Sequence, residues 1–413
     1  MHPGGYQPTR SIEGHHSMTL LTRIIFCSVV LSLTASALAD DPALAARIRG
    51  RMQTFIDRKE IAGAVTLVGD ADAILSLDAV GLRSIEGKQP MQADTLFRVA
   101  SMTKPITAMG VMMLVDEGKL AVDDPIEKHL PEFQGIRVIA ERSGDSLTLK
   151  PPARAVTIRD LMTHTSGLPD ASPPGFPALD LTSNPTLADA VKVFAKRPLS
   201  FEPGTQWAYS NAGMAALGRL IEVVSGHPYP AFLKERLFDP LGMPDTTFYP
   251  TPEQMRRTAV TYDRKGDKLT PVASSRIAPL PGIRYPNPAG GLYSTAPDLA
   301  RLYRMVLRKG MLDGRRYLSE SSLAEMTRLQ TGEIKTGFTD SMGYGLGFGY
   351  VRTPTGVTEA LSPGSFGHGG AWGTQAWIDA RKGRFAVLLI QRVGLPNSDA
   401  SPMRREFQKA AFE

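Results

Sequence analysis

Apolar positions along the chain change their period twice. They first recur at Leu44, Ile48, Met52 and Phe55, one face of a helix. The stretch AGAVTLVGD (62–70) that follows is β-branched and bounded by small and acidic residues, so it reads as a strand, with a second strand near AILSLDAVGL (73–82). From Ser101 to about Gly290 the pattern turns helical. ITAMGVMMLVDEG, TLADAVKVFAKR, AGMAALGRLIEVVSG and PAFLKERLF are each apolar or amphipathic at helix length, and proline-rich loops such as ASPPGFPALDLTSNP join them. STAPDLARLYRMVLRKG is a fully punctuated helix, with Thr295 as N-cap, Asp298 three residues on and Gly310 as the stop. Period two then returns in YGLGFGYV, GHGGAWGTQAWIDA and RFAVLLIQRV, before a last helix in PMRREFQKAAF. Strands at both ends around a helical middle predict an α+β chain: one domain from 40–100 and 291–413, and a mainly helical domain inserted over 101–290.

The 413 residues, 42% of them hydrophobic, supply a large core and exclude general disorder. A formal charge of +6 is spread without a basic block or an aromatic-interleaved basic stripe, which argues against nucleic-acid binding. MTLLTRIIFCSVVLSLTASALAD has the form of a secretory leader, with Arg23 before an apolar run and Ala37 and Ala39 before the cut. A mature chain beginning at Asp40, periplasmic or secreted and with no membrane span left after cleavage, is the expectation. Cys27, the single cysteine, lies in that leader, so neither disulfides nor thiolate metal sites are expected. No paired-histidine spacing occurs among the seven histidines, and no metal or cofactor is expected.

Three short stretches carry candidate chemistry. In RVASMTKPITAMG, Ser101 and Lys104 are three apart at the mouth of an apolar helix, one turn above each other, so an amine can reach a hydroxyl. Serine is a weak nucleophile until a base takes its proton. Lysine can be that base only where burial lowers its pKa, which the surrounding Val99, Ala100, Met102, Ile106 and Met109 favour. Pro105 is tolerable there because a first turn has no use for its missing N–H. In FEPGTQWAYSNAG, Tyr209 and Asn211 point to one side of an extended chain just before a helix, so a phenol can relay a proton while a carboxamide holds the lysine or substrate. Tyr285 and Asn287 repeat that spacing without a following helix and read as a decoy. In SFGHGGAWGTQAWIDA, a strand would put His368, Gly370 and Trp372 on one face, with Gly369 and Gly370 admitting a ligand close to the backbone. The Ala371 N–H would then join that of Ser101 as an oxyanion hole. Trp372 is expected to line the cleft and Trp207 and Trp377 to sit in the core, while His164 reads as a loop brace.

The ordered set Ser101-x-x-Lys104, Tyr209-x-Asn211 and His368-Gly369-Gly370 resembles the three signatures of the serine β-lactamase and penicillin-binding superfamily. Within it, the set is similar to the branch of class C β-lactamases, D-alanyl-D-alanine carboxypeptidases and family VIII esterases. LMTHTSGLP and PAGGLYSTAPDLARL resemble the same branch. The resemblance implies a β-lactamase-like fold, an antiparallel sheet flanked by helices with an inserted helical domain. It also implies an acyl-enzyme on Ser101, with Lys104 and Tyr209 moving protons. Dedicated β-lactamases and carboxypeptidases of the branch usually carry Lys-Thr-Gly or His-Thr-Gly at the third motif, where Gly369 lacks the hydroxyl. The expectation is therefore a serine hydrolase of carboxylic esters of short to medium acyl length. A D-peptidase or weak β-lactamase acting on amides, and a sensor that acylates once, are the alternatives.

Overall fold

A computed structural model describes residues 41–272, 282–337, 339, 341–395 and 401–413. The leader expected over residues 1–39, with its Cys27, lies outside them. Helix α1 (Pro42–Asp57) starts where Asp41 accepts the Leu44 N–H and Pro42 occupies the first turn. It buries Leu44, Ile48, Met52 and Phe55, the face given by their spacing.

The main sheet has eight antiparallel strands. Numbering only these, β1 is Gly63–Asp70, β2 Ile74–Ser84, β3 Gln89–Pro90, β4 Met342–Tyr344, β5 Gly349–Val351, β6 Phe366–Gly369, β7 Gln375–Asp379 and β8 Arg384–Leu389. Their order across the sheet is β4-β5-β6-β7-β8-β1-β2-β3, so strands from distant parts of the sequence meet where β8 pairs with β1, Val65 opposite Leu389. Because β1 is covered on both sides, it reads as a continuous apolar run rather than an alternation. Val65 and Leu67 enter the larger core. Ala64 and Val68 enter a second core with α1 and helix α7 (Pro402–Phe412).

The larger core is organised around α2 (Thr103–Asp116), in which every residue from Thr103 to Leu114 is buried. A helix apolar on all sides belongs at the centre of a protein. Helices α4 (Leu187–Phe194) and α5 (Asn211–Ser225) contribute to the same core, as does α6 (Ala296–Leu307), whose cap is Thr295 accepting from the Asp298 N–H as expected. Close approach of α2 to α5 needs Gly110, where an added Cβ would come within 2.9 Å of Ile221. The expected strand through GHGGAWGTQAWIDA differs from the structure. It stops at Gly369, turns over residues 370–374 with the Gly370 N–H bonded to the Thr374 carbonyl at 2.7 Å, and resumes at Gln375. Gly373, at φ +89°, makes that turn possible. Among the described residues, no helix is long and apolar enough to cross a membrane.

Ile48 is fully buried in the second core, away from the three motifs. Ile48→Ala is expected to lower stability by about 2–5 kcal/mol in urea denaturation while leaving turnover per folded molecule unchanged.

Candidate active site

Ser101 lies in a single 3-10 turn (Ala100–Met102) that leads directly into α2, so Lys104 follows it by one turn. The preceding Ala100 is held at φ +49°, a left-handed conformation unusual for a residue with a Cβ. Lys104 is fully buried, and its Nζ lies 3.2 Å from Ser101 Oγ, 2.8 Å from Asn211 Oδ1 and 2.8 Å from the Ala289 carbonyl. Burial pushes the lysine pKa down to about 7, against a smaller opposing effect of the Asp170 charge.

The three partners decide what the neutral amine does. Asn211 Oδ1 and the Ala289 carbonyl can only accept, so they hold the two remaining protons of the amine. Its lone pair is then left facing the Ser101 hydroxyl. The Ala289 carbonyl is set by the α2 surface itself: Thr107 Oγ1 donates to the Pro288 carbonyl at 2.7 Å, and the Leu292 N–H donates to Thr103 Oγ1 at 3.2 Å.

Tyr209 stands beside this group, its ring centroid 4.4 Å from Lys104 Nζ. His164 holds it there from below. The Ser210 N–H donates to His164 Nδ1 at 3.2 Å and the Ala208 N–H to the His164 carbonyl at 3.0 Å, so both neighbours of Tyr209 hang on one residue. The imidazole is fully buried, packs on the Tyr209 ring at 4.6 Å, and adopts φ +62° at the end of helix α3 (Ile158–Thr163). It braces the loop, as its place in the sequence suggested.

A cavity of about 190 Å³ opens on Ser101, with Tyr209, His368, Gly369, Gly370 and Ala371 in its wall. Burial, and then the Lys104 charge, push the His368 pKa down to about 3, so the ring is neutral. Its Nδ1 donates to the Gly369 carbonyl at 2.6 Å, which leaves Nε2 to accept from the Tyr344 hydroxyl at 2.9 Å. Gly370 brings the third motif against the turn that carries Ser101, since a Cβ there would lie 2.5 Å from the Val99 carbonyl and 3.2 Å from Ala100 Cβ. Gly369 has its own reason. A Cβ would meet the guanidinium of Arg404 at 2.8 Å, and Arg404, buried on α7, donates to the carbonyls of Gly370 and Thr374 at 2.6 and 2.7 Å. The position at which the resembling enzymes carry threonine is here packed against an arginine.

A model of the family described as Beta-lactamase matches residues 44–411. The chain belongs to the Beta-lactamase family. An uncharacterized protein of Mycobacterium tuberculosis is 36% identical over 350 residues, 80% of this chain and 86% of that protein. The esterase EstB of Burkholderia gladioli is 32% identical over 390 residues, 87% of this chain and 93% of its own length. Among solved structures, EstCE1, described as a hydrolase with promiscuous acyltransferase activity, superposes with a TM-score of 0.74 at 24% identity, over 90% of this chain and 99% of that one; that likeness carries the fold. This member of the Beta-lactamase family is an enzyme of the serine hydrolase kind.

Of the residues expected in the site, Ser101, Tyr209, His368, Gly369, Gly370 and Ala371 line one cavity, and Asn211 joins them through Lys104. Trp372 does not line it. Because the strand ends at Gly369, Trp372 lies in the turn and stacks on the Arg98 guanidinium at 4.1 Å. Trp377 sits in the second core, as expected, and also lines the cavity, whereas Trp207, expected in the core, is half-buried cavity wall, together with Tyr344 and Met342. The decoy Tyr285 is absent from this wall and lines a separate opening with Asp170 and Asn211. Reading the sequence missed Ala289, Asp170, Arg404 and Tyr344. Only Ala289 had a signal, its place in PAGGLYSTAPDLARL.

Two outcomes follow from this geometry. If neutral Lys104 takes the serine proton, acylation falls as pH drops through about 7, because protonation removes the lone pair; kcat/KM measured from pH 5 to 9 reads that limb. His164→Ala leaves the buried Ser210 N–H without an acceptor, an expected loss of about 1–3 kcal/mol in thermal or urea unfolding, accompanied by reduced kcat as Tyr209 loosens.

Proposed function

We propose that this protein hydrolyses uncharged carboxylic esters of short to medium acyl length through an acyl-enzyme on Ser101. The observation that carries the proposal is the character of the cavity wall. Trp207, Tyr209, Tyr344, Met342 and Trp377 stand among glycines, His368 is neutral, and among the described lining residues none is Lys, Arg, Asp or Glu. An anionic substrate would enter that wall without a counter-charge, whereas an ester with an apolar acyl group loses no charge solvation there. EstB, an esterase alike over nearly its whole length, supports the same reading.

In the proposed reaction the Lys104 lone pair takes the Ser101 proton as Oγ attacks the ester carbonyl carbon. The oxygen gains a negative charge and accepts hydrogen bonds donated by the Ser101 and Ala371 N–H groups. Collapse of the tetrahedral intermediate breaks the bond to the alcohol, and the proton returns to the departing alkoxide through Lys104 or Tyr209. Water then repeats the sequence on the acyl-enzyme, releasing the acid and restoring Ser101. Export of the enzyme is a further part of this proposal, supported by the leader-like segment alone.

Ser101→Ala is expected to abolish labelling by a serine-directed phosphonate, and labelling retained at another serine would refute the assignment. Lys104→Ala is expected to slow acylation at least about a hundredfold. Side by side, steady turnover of a p-nitrophenyl ester should far exceed that of a chromogenic cephalosporin. The opposite ratio would move the protein to the lactam-directed branch, and a single burst of product without turnover would make it a sensor.

A further inference from the structure

On the side of Asn211 away from Lys104 lies a carboxylate with two well-defined donors. Asn211 Nδ2 donates to Asp170 Oδ2 at 2.7 Å, and the Ala212 N–H, in the first turn of α5, donates to Asp170 Oδ1 at 2.8 Å. The backbone around this residue is pinned by the buried Arg197 guanidinium, which donates to the carbonyls of Pro169 and Asp170 at 3.1 and 2.5 Å.

A carboxylate only accepts. With one oxygen engaged by a fixed backbone N–H, the other requires the amino end of the Asn211 carboxamide. The carbonyl end is thereby turned to Lys104, where it stands 2.8 Å from Nζ. The reversed amide would place an N–H against the lysine nitrogen. Toward the ammonium that contact is donor against donor; toward the neutral amine it would donate into the lone pair that the Ser101 hydroxyl needs.

We propose that Asp170 is a positioning residue of the reaction, which fixes the Asn211 carboxamide oxygen-first toward Lys104 and so aims the lysine lone pair at Ser101. Asp170 touches neither Ser101 nor the cavity wall around it; its positioning effect passes through Asn211, while its charge acts on Lys104 through space. The titratable groups facing Lys104 are Tyr209 at its side, His164 at the end of α3 and His368 on β6, with Arg404 behind His368. Both imidazoles are held neutral by burial. Asp170, itself flanked by Arg197 and Tyr285, supplies the negative charge that raises the Lys104 pKa against burial. Its exposed position screens that field, which is why burial prevails.

The inference rests on Lys104 acting as the base, and the test separates the two ideas. The rate of phosphonate labelling of Ser101 is measured from pH 5 to 9 on the full chain, for wild type, D170A, D170N and D170E, each checked for folding by thermal denaturation. Wild type should show the limb near pH 7; its absence there would remove the role of Lys104. Given that limb, D170A and D170N should label at least about tenfold more slowly on the plateau, the loss expected when a general base is misaligned. Their limb should also move to lower pH, since removing a negative charge favours the neutral amine. D170E, which keeps the carboxylate, should return the limb toward its wild-type position. A purely structural role for Asp170 would slow labelling equally at every pH, and a limb that stays in place in whichever of D170A and D170N folds would overturn the proposal, as would wild-type rates.

Discussion

The site depends on one constraint: an amine with no access to water, enclosed by three acceptors of which two can only take its protons. Burying an ammonium without an ion pair is costly, and Lys104 meets that cost in two ways. Asn211 Oδ1, the Ala289 carbonyl and Ser101 Oγ satisfy all three protons of the charged form. The same burial lowers its proton affinity until the neutral form is populated near neutral pH. Because two of the three acceptors cannot donate, the loss of a proton also decides where the lone pair points. Local geometry thus leaves a desolvated amine whose lone pair is directed at Ser101 Oγ.

The elements around Lys104 supply close approach, which the sequence achieves with residues that have little or no side chain. Gly370 lets the third motif rest on Val99 and Ala100, and Thr374 Oγ1 adds a hydrogen bond to the Val99 carbonyl at 3.1 Å. Gly369 makes room for Arg404. What β6 loses in side-chain chemistry at that position it gains in a turn held from behind by a guanidinium, with an uncharged histidine in front.

The parts of this arrangement that were legible in the sequence are those set by local spacing. Ser101 and Lys104 share one helical turn, and Tyr209 stands just before the helix that Asn211 opens, so their types and intervals carry the geometry. Leu44, Ile48, Met52 and Phe55 gave their helix for the same reason. Asp170, in a loop without period, and Arg404, on a helix far from the motifs in the chain, are joined to the site by contacts that span 41 and 34 residues. Trp372 misses the cavity because a single turn at residues 370–374 breaks the alternation that would have aimed it inward. Burial pattern cannot reveal a turn whose requirement is a positive φ at one glycine among several.

Arg404 ties the turn beside Ser101 to a helix that follows it in the chain, and Thr374 bonds Val99 across 275 residues of sequence. Ser101 and Lys104 therefore leave the ribosome long before the segment that shapes the opposite wall of their cavity has been synthesised. The cavity wall facing Ser101 is thus among the last parts of the site to be synthesised, together with the helix that holds it from behind.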